Sequence, residues 1–211
     1  MPGVLALVLA AALTSLPPLP QRGLARETKA GVELQSLRGP PLATLSGLDL
    51  APDQALAHRA VFRDGRGRLF VLAGGRLRRT PLRRGCRTTD VQLTVCLRTI
   101  RGAAGVLARA PHAVGHWVWA ERSPSGSAVL AQWSAECEVP VAYLIANGKL
   151  RAYGAETVAL GWPPSGEAVV HFRPLGCVGS GRRGIYAVPR SGKPRLLLRT
   201  APFAQYLMWG G

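Results

Sequence analysis

Two stretches of this chain lie over one another without a gap. Pro124-Ser-Gly-Ser-Ala-Val-Leu-Ala-Gln-Trp-Ser-Ala-Glu-Cys137 aligns with Pro164-Ser-Gly-Glu-Ala-Val-Val-His-Phe-Arg-Pro-Leu-Gly-Cys177 at an offset of 40 residues throughout. Pro, Ser, Gly, Ala, Val and Cys coincide, and Trp133 meets Phe172 one place out of register. A strand-rich period of this length signals a repeat architecture, in which each unit buries its apolar face against its neighbours.

Both copies continue in the same way. After the first comes the β-rich run Val139 to Ala146, ending in Asn147-Gly148. That dipeptide is the strongest short hairpin signal, because both turn positions need φ > 0. Lys149-Leu-Arg-Ala-Tyr153 reads as the returning strand. After the second copy come Gly184-Ile-Tyr-Ala-Val188, the turn Arg190-Ser-Gly-Lys193, and Pro194-Arg-Leu-Leu-Leu-Arg-Thr200. A weaker copy sits upstream. Leu48-Asp-Leu-Ala-Pro52-Asp53 takes the place of the opening turn, Arg68-Leu-Phe-Val-Leu-Ala73 is the next strand, and Gly74-Gly75 turns into Arg76-Leu-Arg-Arg-Thr80. It lies 72 residues from the next copy, and the excess holds Cys86 and Cys96. This excess is either an insertion or a degenerate unit. Asp90 to Leu97 alternates polar and apolar residues like a half-buried strand, which fits the second reading. Thr28 to Ala43 reads as an arm or as an outer strand. No amphipathic helix of useful length stands out, and Gly and Pro recur at short intervals, as many short strands require.

The stretch from Val118 to Thr200 resembles the repeats of TolB-like β-propellers. Arg122-Ser-Pro-Ser-Gly126 and Trp162-Pro-Pro-Ser-Gly166 match the opening of that family's blade, with Ser125 and Ser165 in place of its usual Asp. Gly184-Ile-Tyr-Ala-Val188, Gly192-Lys-Pro-Arg195 and Leu198-Arg-Thr200 match the rest. The resemblance implies an all-β, propeller-like fold. At about 40 residues per blade the chain would form four or five blades, as a closed or an incomplete ring. An incomplete ring would favour oligomers. The resemblance also implies a second strand covered on both faces and a more exposed, basic outer hairpin.

The N-terminal residues read differently. Val4 to Leu16 is an apolar run too short to span a bilayer, which takes roughly 20 residues. It fits the core of a secretory signal peptide, and Gly23-Leu24-Ala25 offers small residues for cleavage after Ala25. We therefore expect a signal peptide at residues 1–25, a propeller-like domain at 26–211, no membrane span once the signal is removed, and a secreted or cell-envelope location. The four cysteines, Cys86, Cys96, Cys137 and Cys177, include no Cys-x-x-Cys pair, so zinc is disfavoured. An even count in an exported chain points to two disulfides. Cys86 with Cys96 would close a short hairpin-like loop. Cys137 with Cys177 would join equivalent loops of consecutive blades. A Cys96–Cys137 bond would overturn that pairing.

The net charge is +16, from 27 basic and 11 acidic residues. All the basic residues are Arg except Lys29, Lys149 and Lys193. With so much Ala, Gly, Pro and Leu, this matches the codon bias of a GC-rich genome. The functional reading is affinity for an anionic surface or polymer. The densest cluster, Arg76 to Arg84, has no interleaved aromatic residues for bases to stack on, so nucleic acid is not the expected partner.

No reaction signature is present. The chain has no Gly-x-Ser-x-Gly elbow, no phosphate-binding loop and no His-Glu-x-x-His. His112 and His116, beside Trp117 and Trp119, read as neighbours on one face of a strand, without a third ligand at a fixed spacing. Asp49, Asp53, Asp64 and Asp90 read as turn or strand-edge residues. The expectation is a non-catalytic binding or scaffold module without cofactor or metal, serving a protein or an anionic cell-envelope polymer. Trp117, Trp119, Trp133 and Trp162 would partly be core, and a binding face would draw on whichever of Trp117, Trp119 and Trp162 lie exposed near the axis, with His112 and His116. The alternative is a small propeller enzyme acting on glycans or lactones through acidic or His side chains near the axis.

Overall fold

The computed structural model describes residues 16, 18–20, 22–37, 39–54, 60–73, 76–81, 85–90, 92–135, 139–163, 165–173, 183–201 and 204–210. Among them the only helical element is a single 3-10 turn at Pro52–Gln54. The strands form five four-stranded antiparallel sheets, the blades of a five-bladed β-propeller. The chain divides into two compact units, one made of Met1–Leu82 with Ala204–Gly211 and the other of Arg83–Phe203.

The first unit holds two sheets. One contains β1 (Arg22–Thr28), β2 (Gly31–Gln35) and β3 (Pro41–Leu45), and the other β4 (Leu48–Leu50), β5 (Val61–Asp64), β6 (Leu69–Ala73) and β7 (Arg76–Thr80). The second unit holds three sheets. They comprise β8 (Arg87–Asp90), β9 (Leu93–Val95), β10 (Thr99–Gly102) and β11 (Gly105–Arg109); β12 (His116–Arg122), β13 (Ala128–Ser134), β14 (Pro140–Ala146) and β15 (Lys149–Ala155); and β16 (Thr157–Gly161), β17 (Ala168–Phe172), β18 (Gly184–Val188) and β19 (Arg195–Leu198). The chain then returns to the first unit with β20 (Tyr206–Gly210), which pairs with β1 and gives the order β20-β1-β2-β3. The other four sheets run in simple chain order.

The gapless repeat forms the second strands. β13 is buried at every position except its last and β17 at all five, as strands covered on both faces must be. β15 is largely exposed. It is reached through Asn147 (φ 51) and Gly148 (φ 67), the left-handed pair a two-residue hairpin demands.

Neighbouring sheets are tied by polar side chains. A first strand has a ladder partner on one side only, so its other N–H groups need acceptors. Gln132 on β13 accepts from Ala159 N on β16 at 2.7 Å, while its amide nitrogen donates to Trp133 O at 2.8 Å. Glu27 on β1 plays the same part for Leu50 N on β4 at 3.3 Å. Thr157 Oγ1 accepts from Ala142 N at 2.9 Å, and Trp162 Nε1 donates to Glu121 O at 3.1 Å. In the second unit an aromatic group fills the core between the sheet of β8 to β11 and that of β12 to β15. Trp117 stands edge-on to Trp133 at 5.0 Å and to Tyr143 at 5.5 Å, amid Leu93, Val95 and Ile100.

Several expectations change in detail. The excess between the upstream copy and the next is a full four-stranded sheet, β8 to β11, so it is a divergent blade and not an insertion. The upstream copy contains more than the sequence showed. Leu48–Leu50 is itself a strand, and Val61–Asp64 supplies the second strand. Thr28 to Ala43 contributes the end of β1, all of β2 and the start of β3. β1 begins at Arg22 and pairs on both sides, so Gly23-Leu24-Ala25 lies buried inside a sheet. Val4 to Ser15, most of the apolar run, falls outside the described residues.

Candidate functional site

In the first unit the turn from β5 to β6 reads Asp64-Gly-Arg-Gly-Arg68. Asp64 organises it. Its Oδ1 accepts from the N–H groups of Arg66 (3.0 Å) and Arg68 (2.9 Å), and its Oδ2 accepts from Arg68 Nε at 2.7 Å. Gly67 takes φ +74 with open space around it, so the loop bends without a clash. Burial pushes the Asp64 carboxyl up, but the Arg68 guanidinium and the two backbone donors outweigh it. The group is held below its ordinary value and stays ionised.

Strand β7 runs beside β6 and brings a third cation to this turn, since Arg79 stands opposite Phe70 and Thr80 opposite Leu69. Together Arg66, Gly67, Arg68, Leu69, Arg79, Thr80 and Pro81 line a cleft of about 470 Å³. That volume lies within the range of small-ligand sites. Arg68 is committed to Asp64. Arg66 and Arg79 are exposed and have no ion-pair partner among the described residues. Two guanidinium groups, a hydroxyl and one held cation can seat a carboxylate or phosphate, because the guanidinium fork matches both geometries.

The residues singled out from sequence are distributed differently. Trp117, Trp119 and Trp162 are buried, so their rings belong to the core and not to a surface. His112 and His116 are exposed. They do not share a strand face, because β12 starts only at His116 and His112 sits in the preceding bend, between Pro111 and Gly115 (φ 107). His112 Nε2 meets the Tyr143 hydroxyl at 3.3 Å, and burial raises the pKa of that hydroxyl. Cys86 and Cys96 are joined in a disulfide. Cys137 and Cys177 lie outside the described residues. Of the basic run, Arg76, Arg78 and Arg79 lie on β7, and Arg83 and Arg84 lie outside the described residues.

Sequence reasoning passed over Arg66 and Arg68. Their signal was the Asp-Gly-x-Gly turn between two apolar runs, which marks a tight loop. Only the β6–β7 register places that loop beside Arg79. No group of three or more His, Cys, Asp or Glu side chains among the described residues could hold a metal ion. Compared with protein-family models, with curated proteins and with solved structures, the chain matches none.

Proposed function

We propose that this chain is an exported, TolB-like propeller that acts without catalysis, as a binding module for an anionic cell-envelope polymer. The arginine cleft of the second sheet carries the reading. Arg66 and Arg79, without an ion-pair partner among the described residues, present positive charge over a concave site, on a chain of net charge +16. A polyanion approaching such a surface is steered to it, and its local carboxylate or phosphate groups find forked donors there. The extracytoplasmic setting is supported by the Cys86–Cys96 disulfide and the signal-like run Val4 to Leu16. No helix among the described residues is long and apolar enough to cross a membrane.

The test is direct binding of inorganic polyphosphate and of polygalacturonate to the intact chain, at low and at raised salt. Both are expected to bind, with affinity falling as salt rises. The double substitution Arg66→Ala with Arg79→Ala is expected to weaken binding about tenfold or more. Unchanged binding by the double variant would overturn the cleft as the site.

A further inference from the structure

The second unit carries a different surface feature, independent of the arginine cleft. Leu97 and Val114 are 57% and 55% exposed, the most exposed of the large apolar residues described. Scattered apolar residues on mobile loops need no explanation. These two are held in place.

Leu97 sits in a tight turn closed by Cys96 N to Thr99 O at 2.8 Å and Thr99 N to Cys96 O at 3.3 Å, directly after the Cys86–Cys96 disulfide. Its carbonyl accepts from Trp117 N at 3.0 Å. The next residue, Arg98, clamps the loop that carries Val114. It donates to Gly115 O at 3.0 Å and to His112 O at 2.6 Å, and it lies over the Trp133 ring at 5.5 Å. Gly115 is locked as well, since a Cβ there would stand 2.3 Å from Ser134 O and 2.8 Å from the Trp133 ring. Two neighbouring loops therefore present two aliphatic side chains on a fixed frame.

The stretch of sequence that carries them holds basic residues and no acidic one. From Val91 to Ala120 the sequence contains no Asp or Glu, while Arg98, Arg101, Arg109, His112 and His116 all fall within it. Arg98, Arg101 and Arg109 are exposed, and Arg98 spends only part of its five-donor fork on the two carbonyls.

We infer that Leu97 and Val114, flanked by Arg98 and His112, form a docking surface for an acidic protein segment with aliphatic residues between its carboxylates. The aliphatic side chains of the segment cover Leu97 and Val114. Its carboxylates meet the remaining Arg98 donors and the exposed arginines of β10 and β11. Because the loops are already ordered, binding costs little further ordering entropy. A polymer of charge alone would find the cations but would gain nothing from the apolar pair, which is why a protein segment is the better fit.

The test uses two fluorescent dodecapeptides, one alternating Glu and Leu and one alternating Glu and Gln, titrated into the intact oxidised chain. The Glu–Leu peptide is expected to bind about tenfold or more tightly than its equally charged partner. The variant Leu97→Ser with Val114→Ser, checked for unchanged circular dichroism, is expected to lose that preference. Reduction of the disulfide is expected to weaken it. Arg66→Ala with Arg79→Ala is expected to leave it intact, so failure of the polymer reading and failure of this one give different results. Equal binding of the two peptides to the parent chain, or a preference that survives the double serine variant, would overturn the inference.

Discussion

At Glu156 the backbone takes φ 60 in the single residue between β15 and β16. Gly47 (φ 72) and Gly115 (φ 107) hold the corresponding place just ahead of β4 and β12, where glycine meets no steric cost. Glu156 carries that cost and is 1% exposed, and neither carboxylate oxygen has a hydrogen-bond partner among the described residues. We expect Glu156→Gly to raise stability by about 1–2 kcal/mol, read as a higher urea midpoint. A lower midpoint would show that the carboxylate has a stabilising role. His171 on β17 is the opposite case, a buried group kept neutral. Burial first, and then the nearby Arg173 charge, lowers its pKa to about 3. The unfolded imidazole titrates near 6.5, so the unfolded chain binds the extra proton between those values. The stability gained by holding His171 neutral is complete above about pH 6.5 and is lost as pH falls toward 3. Chemical denaturation at stepped pH should show this acid loss diminished in His171→Gln relative to the parent chain.

Among the elements, the outer strands show how the basic charge serves the fold. Among the described strands β7 pairs with β6 alone, and it exposes Arg76, Arg78 and Arg79, while β15 exposes Lys149 and Arg151. Positive charge on such edges discourages pairing with another chain. The disulfide acts on the divergent sheet. It joins Cys86 ahead of β8 to Cys96 after β9, across ten residues of sequence. We expect Cys86→Ser with Cys96→Ser to cost about 2–3 kcal/mol by the chain-entropy argument, with the unfolding midpoint as the measurement. The elements differ in how legible they were. β13 to β15 could be read because a continuous apolar run, Asn147-Gly148 and a basic return each have a distinct physical cause. β8 to β11 could not be read in full, because their strands are three to five residues long and only one alternating run marks them. β5 was hidden behind the Pro52–Gln54 turn. The arginine cleft was out of reach of sequence, because strand pairing and not chain proximity brings Arg79 to Arg66. Trp117, Trp119 and Trp162 could be read as partly core and partly contact surface, and β12 and the loop after β16 bury all three rings. Large aromatic side chains serve a core and a binding face equally well, and sequence alone does not separate the two.

For the whole molecule, the gapless repeat predicted blades, and the sheet count of five follows from the divergent sheet together with the return of β20 to β1. β20 pairs with five residues of β1, Arg22 to Arg26, and its Tyr206, Leu207, Met208 and Trp209 are buried. We expect deletion of residues 204–211 to abolish cooperative unfolding and to raise hydrophobic-dye binding, since β1 would lose one of its two neighbours. Trimming at the other end has a related effect. Cleavage after Ala25 would leave only Arg26–Thr28 of β1, whereas cleavage ahead of Arg22 spares the strand. If the leader is removed as the proposed export requires, N-terminal sequencing of the processed chain is expected to give a start before Arg22.

The same pairing also sets a clock. From Leu45, the end of β3, to Tyr206, the start of β20, the ribosome must add 161 residues (206 − 45). At ordinary synthesis speed that takes about ten to thirty seconds. Throughout that interval β1 waits with one flank open. The first sheet is therefore locked only when β20 has been made, so its completion is tied to the far end of the propeller sequence and not to its own neighbours.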